Sequence, residues 1–290
     1  MRGTEGTRHP EPGPEYEPRS RLRRLVEVTG FWAVYCALGE ALGLGESIGE
    51  LTTYLLLSVP LVLLFQVLVA RRDVRELWVK TAPRMFTRLM AIIAVAVAIY
   101  PVIFVIKAIV DGDPTSLVIY GAVAIAGAVA AGYAFGLFTR ETLRLMLLCI
   151  LFATGYSVLI DVITSLELDA TTHPVVFRPE ADLEMFITSL LGLLPIVFLV
   201  EEVVFRGALD SHLHHPGERH GILTAIFISV LWSLWHAPVF GWDNFDNYLI
   251  AMVPMGVALS IFWRRSGNLG VSGSAHALGD AIRNATTGVP

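Results

Sequence analysis

Apolar residues along this chain gather in long runs instead of alternating with polar ones. The runs fall near 25–45, 50–70, 87–110, 116–138, 143–164, 183–209, 221–240, 246–263 and 269–285. A run of about 20 residues is long enough to cross a bilayer as a helix. The first run is weakened by Glu27 and Glu40, and the last is short and rich in Gly and Ser. The pattern therefore predicts an all-α, polytopic membrane bundle of about eight transmembrane helices, with no internal repeat. Composition agrees: 54% of the 290 residues are hydrophobic, 16% are charged, and the mean hydropathy is +0.63.

The polar stretches order the runs. Residues 1–24 are rich in Pro, Arg and Glu and lack the apolar core of a cleavable signal peptide. They read as a disordered cytoplasmic tail ending in a basic anchor, Arg19, Arg21, Arg23 and Arg24. Basic residues also mark the loop from Arg71 to Arg84, the turn at Arg140 and Arg144, and Arg264 with Arg265. The loops at 111–114 and 166–182 are mostly acidic. Alternation across the runs puts every basic cluster on one side, so the expected N-terminus is cytoplasmic. The bias for Arg over Lys and the Ala/Val/Leu-rich helices make a bacterial inner membrane the expected location of this integral protein. Lipid is one expected partner. No basic stripe or reader motif points to nucleic acid. Cys36 and Cys149 each sit inside an apolar run and read as packing residues.

Charges break the apolar runs at a few places. Ionisable residues at membrane depth face a bundle interior or a wet cavity and are functional candidates. Here they are Glu201, Glu202, Arg206, His236, His276 and Asp280, with Asp161 and Lys107 nearer span ends. Glu202 and Arg206 are four apart and can pair on one helix face. Glu201 is turned about 100° away and can point elsewhere. Trp232 and His236 share the same spacing, with Pro238 expected to end or kink their helix, and so do His276 and Asp280. Regular helix rise puts Glu201 and His236 about one turn apart in depth. His276 lies nearer its turn at Ser266–Gly267, so a broken or tilted helix start through 266–274 is expected to bring it level.

A carboxylate and an imidazole converging in a membrane pocket can activate water, with Glu as general base. Two further groups could hold an oxyanion. Alternatively, Glu201, His236, His276 and Asp280 are ligand candidates for a divalent metal such as zinc, which would acidify a bound water. Both chemistries lead to hydrolysis of a peptide bond, in a peptide or membrane-protein substrate.

The segments EEVVFRG, LWSLWHAP and HALGD carry a resemblance. They are similar to the EExxxR, aromatic-xxx-His and HxxxN/D motifs of the CPBP family, the CAAX-protease and bacteriocin-processing membrane proteins that include the type II CAAX prenyl endopeptidases. The likeness covers roughly residues 183–285. It implies that residues 183–290 form the catalytic core, and that residues 25–182 supply the preceding helices. By the same likeness, Glu201 with His236 would activate the attacking water. Glu202 and Arg206 would be the supporting pair, and His276 and Asp280 would polarise the scissile carbonyl. Asp280 stands where the family more often has Asn, and a carboxylate accepts where an amide donates. The alternatives for Asp280 are to orient His276 or to bind a metal. A metal-free glutamate mechanism and a metalloprotease both remain consistent with these residues.

Other motifs lead elsewhere. Gly270–Gly273 has the GxSG form of rhomboid proteases, but the following histidine, His276, is only one turn away. LGD at 278–280 lacks the second aspartate of aspartyl proteases, and HExxH is absent. The loop holding His212, His214, His215 and His220 reads as a polar turn. Two other functional classes fit a membrane bundle with buried charges: a non-enzymatic scaffold or bacteriocin-immunity protein, and a proton-coupled transporter. A scaffold would tolerate loss of Glu201. A transporter would show substrate-dependent proton flux.

Overall fold

The computed structural model describes residues 20–44, 48–81, 85–156, 158–160, 179–214, 221–236 and 245–287. Asp161, Pro238, His215 and His220 lie outside these segments. Helix α1 runs Arg21–Ala41, starting under a cap in which Ser20 Oγ accepts from the Arg23 amide. Helix α2 (Ile48–Leu64) continues into a π-helical turn, Phe65–Ala70. A short 3-10 turn (Val74–Leu77) leads on to α3 (Arg88–Asp111). Helix α4 starts at Pro114–Ala122, widens at Val123–Gly127 and closes with Ala128–Phe135. Helix α5 is Arg140–Cys149 with a π turn at Ile150–Thr154. Helix α6 starts at Pro179–Ile196, passes into a long π-helix at Val197–Asp210 and ends with Ser211–Leu213. Helices α7 (Gly221–Trp235), α8 (Phe245–Ser266) and α9 (Leu269–Thr287) complete the described bundle.

Six helical stretches are long and apolar enough to span a membrane: Thr53–Ala70, Arg88–Asp111, Ser116–Phe135, Arg140–Ile160, Leu183–Leu213 and Leu249–Ser266. That corrects the expected count of about eight, for the described residues. Helix α1 carries three arginines and two glutamates in 21 residues. Helix α7 is apolar throughout, but its 15 residues reach about 22 Å at regular rise, short of a hydrocarbon core of about 30 Å. Helix α9 contains His276, Asp280 and Arg283 and fails on composition for a physical reason: it lies inside the bundle, against α5, α6 and α8, where it meets protein rather than lipid. Leu269, Val271, Ala275, Ala277 and Ala281 are fully buried. Helix α3 shows the opposite pattern, with Ile92, Val95, Ile99, Ile103 and Ile106 all exposed along its length, as a lipid-facing surface requires. The protein is a polytopic, helical, integral membrane protein.

Helix α9 starts without the break expected through 266–274. Gly267, at φ 62°, turns the chain, and Asn268 then serves as a two-sided anchor. Its side-chain amide donates to the Ala134 carbonyl at 2.8 Å, and its Oδ1 accepts from the Gly270 amide at 2.8 Å. Backbone bonds from Lys80 to Gly267 and from Leu269 to Trp78 clamp this start onto the 71–81 loop. The depth mismatch resolves in α6 instead. A π-helix closes i→i+5 bonds, so each wider turn rises less per residue. Regular rise overestimates how far Glu201 stands above the end of its helix.

Candidate active site

The π-helical stretch of α6 carries Glu201, Glu202 and Arg206. Such widenings are rare and frequent at functional sites. Here the stretch sets the two adjacent carboxylates on different partners. Glu202 turns inward, 3.4 Å from Arg206 Nη1, and both side chains are 0% exposed. The Arg206 guanidinium also lies over the Trp232 ring, 4.6 Å from its centroid. Burial of this pair is tolerable only because each charge has a partner. Glu201 turns toward α7 and α9. Its Oε2 accepts from Trp232 Nε1 at 2.8 Å and lies 3.3 Å from His236 Nε2 and 3.6 Å from His276 Nε2.

The histidines are oriented from behind. His236 Nδ1 lies 2.9 Å from the Trp232 carbonyl, which can only accept, so this nitrogen carries a hydrogen. His276 Nδ1 lies 2.9 Å from Glu202 Oε1, a carboxylate oxygen, and donates to it in the same way. Both rings thus present Nε2 to the centre. The Trp232 ring meets both imidazoles edge-on, at 5.3 Å and 5.0 Å between centroids. Thr154, in the π turn of α5, donates to the Ala275 carbonyl at 3.0 Å and fixes α9 one residue before His276. Gly273 permits the close approach of α9 to α6: a β-carbon there would come within 2.5 Å of the Phe198 ring.

Asp280 completes the group. Its Oδ2 lies 3.5 Å from His276 Nε2, and its Oδ1 lies 3.0 Å from Arg283 Nη2. All six residues singled out in the sequence therefore come together. Glu201, His236 and Asp280 are 13%, 12% and 13% exposed, whereas Glu202 and Arg206 are sealed behind them. The accessible face of the site is made by the first three.

The donor set fits a divalent cation. One atom each from Glu201, His276 and Asp280 lies within 4.8 Å of the others. Carboxylate oxygens and histidine nitrogens are both ligand types that zinc takes. Three carboxylates face two guanidiniums in the cluster, so with neutral imidazoles it holds one net negative charge.

Two contacts were not singled out in the sequence. Trp232 does meet His236 on its own helix, but its indole also donates to Glu201, a hydrogen bond that crosses between helices. Arg283 follows Asp280 by three residues, a spacing that permits the pair on one face of α9, though the sequence reading did not single it out. Among the decoys, Ser272 is fully buried and lies 3.4 Å from the Leu269 carbonyl, remote from the role of a serine nucleophile. His212 lies 2.7 Å from Glu27 Oε2, joining α1 to the end of α6.

No curated protein and no solved structure matches the chain. Residues 183–282, which include all six site residues, match the family model described as "Type II CAAX prenyl endopeptidase Rce1-like". That match supports an enzymatic, protease-type function, and over this part the chain is similar to Rce1-like domains of the CPBP type.

Proposed function

We propose that this protein is an intramembrane endopeptidase in which Glu201 and His236 activate the attacking water. The observation that carries the reading is the 3.3 Å separation of Glu201 Oε2 and His236 Nε2 on the accessible face of the site. Neither atom carries a hydrogen when the carboxylate is ionised and His236 is protonated only at Nδ1. A water seated beside the pair, on the accessible face, donates a hydrogen to each of them, which aims its lone pair outward. Water oxygen then attacks the carbonyl carbon of a peptide docked against this face. The C–O bond forms, the carbonyl π bond opens, and one water proton passes to Glu201. Collapse breaks the C–N bond, and the proton moves on to the leaving amine.

Trp232 keeps the Glu201 oxygen in place. Glu202 and Arg206 hold His276 from behind, and Arg283 holds Asp280. A divalent metal would be held by Glu201, His276 and Asp280, and when bound it would polarise the carbonyl and acidify water. The substrate is a peptide or membrane-protein segment reached from the membrane. The basic loop 71–81, with Arg264 and Arg265 in the last turn of α8, would place the N-terminus in the cytoplasm.

Mass spectrometry of a peptide library incubated with the purified protein tests this. Hydrolysis yields paired products whose masses sum to the substrate plus one water. A scaffold or a transporter leaves every peptide intact.

A further inference from the structure

His236 stands directly after the last turn of α7. Its amide donates to the Ser233 carbonyl at 3.1 Å, and its Nδ1 donates to the Trp232 carbonyl at 2.9 Å. One ring hydrogen bond fixes one ring nitrogen. The torsion that turns an imidazole about its stem is soft, so the aim of Nε2 at Glu201 depends on packing. Two indoles supply it. Trp232 and Trp235 stand perpendicular to the imidazole, 5.3 Å and 4.9 Å from it between centroids. Trp232 is itself bonded to Glu201. Trp235 is fully buried and packs against rings from three other helices. Phe205 of α6 meets it edge-on at 5.5 Å, and Tyr35 of α1 and Tyr54 of α2 each lie 6.3 Å away.

Helix α1 builds the outer part of this wall. Val28, Trp32, Tyr35 and Gly39 follow the i, i+4, i+7, i+11 spacing of one helix face. Val28, Tyr35 and Gly39 are buried, whereas Val26 and Val34, turned away from them, are exposed. The Tyr35 hydroxyl donates to the Tyr54 carbonyl at 2.7 Å, and the two rings lie 4.7 Å apart. Gly39 lets the Tyr54 ring seat against α1, where a β-carbon would strike it. Trp32 Nε1 donates to the Leu231 carbonyl at 3.2 Å. Leu231 lies about one turn before Trp235, so this bond holds the turn that presents the indole. None of these α1 residues belongs to the part that matches the family model, residues 183–282.

We propose that Trp235 is a positioning residue for His236, and that α1, through Trp32 and Tyr35, holds Trp235 in place. The effect on turnover rests on the reading in which Glu201 and His236 activate water. With the indole present, the imidazole has one orientation, Nδ1 on the Trp232 carbonyl and Nε2 toward Glu201. Without it, the ring swings about its remaining bond and Nε2 leaves the carboxylate for part of the time.

Two measurements on the full-length protein in detergent test this. Nitrogen NMR of protein isotope-labelled at its histidines, with His236→Gln for assignment, reads the ring without turnover. Wild type should give one set of His236 ring signals. Trp235→Leu should give a doubled or exchange-broadened set, and Trp235→Phe, which keeps a ring, should return the wild-type pattern. A folded Trp235→Leu protein with wild-type His236 signals overturns the proposal. In steady-state cleavage, Trp235→Leu should lower kcat roughly 2- to 12-fold, the worth of one lost aromatic pair, with KM little changed and most of the loss recovered in Trp235→Phe. Wild-type kcat in Trp235→Leu also overturns it. Should wild type cleave no peptide, the protease reading fails, and the NMR result still decides this proposal. Should Trp235→Leu fail to fold, Trp32→Phe decides, since it removes one hydrogen bond from a partly buried ring: doubled or broadened His236 signals support the proposal, and signals identical to wild type overturn it.

Discussion

Trp232 Nε1 donates a 2.8 Å hydrogen bond to Glu201 Oε2, the same oxygen that lies 3.3 Å from His236 and 3.6 Å from His276. One indole on α7 therefore sets the position of a carboxylate on α6, and its ring also packs against both imidazoles. Trp232→Phe keeps most of the ring and removes the donor. A hydrogen bond to a charged group is worth about 1.5–3 kcal/mol, or roughly 10- to 150-fold in rate. Steady-state kinetics should show that loss in kcat with KM little changed, because the bond orients the base and leaves substrate contacts alone.

Glu202 and Arg206 have a different signature. Both are sealed from solvent, and removing one partner leaves the other charge buried and unpaired. Arg206→Met should destabilise the fold by about 3–5 kcal/mol, read as a lowered Tm in detergent. Arg283 is 42% exposed, so Arg283→Gln should change stability by less than about 1 kcal/mol. A near-equal loss of Tm in the two variants would contradict the assigned geometry.

Close packing of α9 on α6 makes its own prediction. A β-carbon on Gly273 meets the Phe198 ring at 2.5 Å, so Gly273→Ala should cost about 1–3 kcal/mol through overpacking. Adding Phe198→Leu removes the obstructing ring edge and should restore part of the lost Tm. Lack of any coupling between the two substitutions in a double-mutant cycle would show that the helices do not meet there.

The candidate site was legible in the sequence to an unusual degree, since charges within apolar runs stand out and their i,i+4 spacing survives the π-helical widening of α6. Two features were not legible. A hydropathy pattern reports what faces lipid, so α9, enclosed by other helices, is too polar to register as a span. Regular helix rise misplaced His276 relative to Glu201, because nothing in the residues 197–210 announces i→i+5 bonding. Trp232 was read as a neighbour of His236 on its own helix; its bond to Glu201 depends on how α7 meets α6, which spacing within one helix does not encode.

Asp280 offers a readout of metal affinity independent of turnover. Its carboxylate, Glu201 and His276 supply the three atoms that converge within 4.8 Å. Titration of the purified protein with zinc, followed by metal content after gel filtration, should show weaker retention in Asp280→Asn by at least about tenfold, because an amide is a neutral and poorer ligand than a carboxylate. Arg283→Gln should retain zinc at least as well as wild type. Equal retention in wild type and Asp280→Asn would remove Asp280 from the donor set.

The most direct measurement compares wild type with Glu201→Gln in cleavage of a quenched-fluorescence peptide, with Tm recorded on the same samples. The account predicts a fall in kcat of at least about 10²-fold, the usual scale of general-base catalysis, at nearly unchanged Tm. Cleavage at the wild-type rate by a folded Glu201→Gln protein would contradict it, and would leave Glu201 as a hydrogen-bond partner of Trp232 with no part in the chemistry.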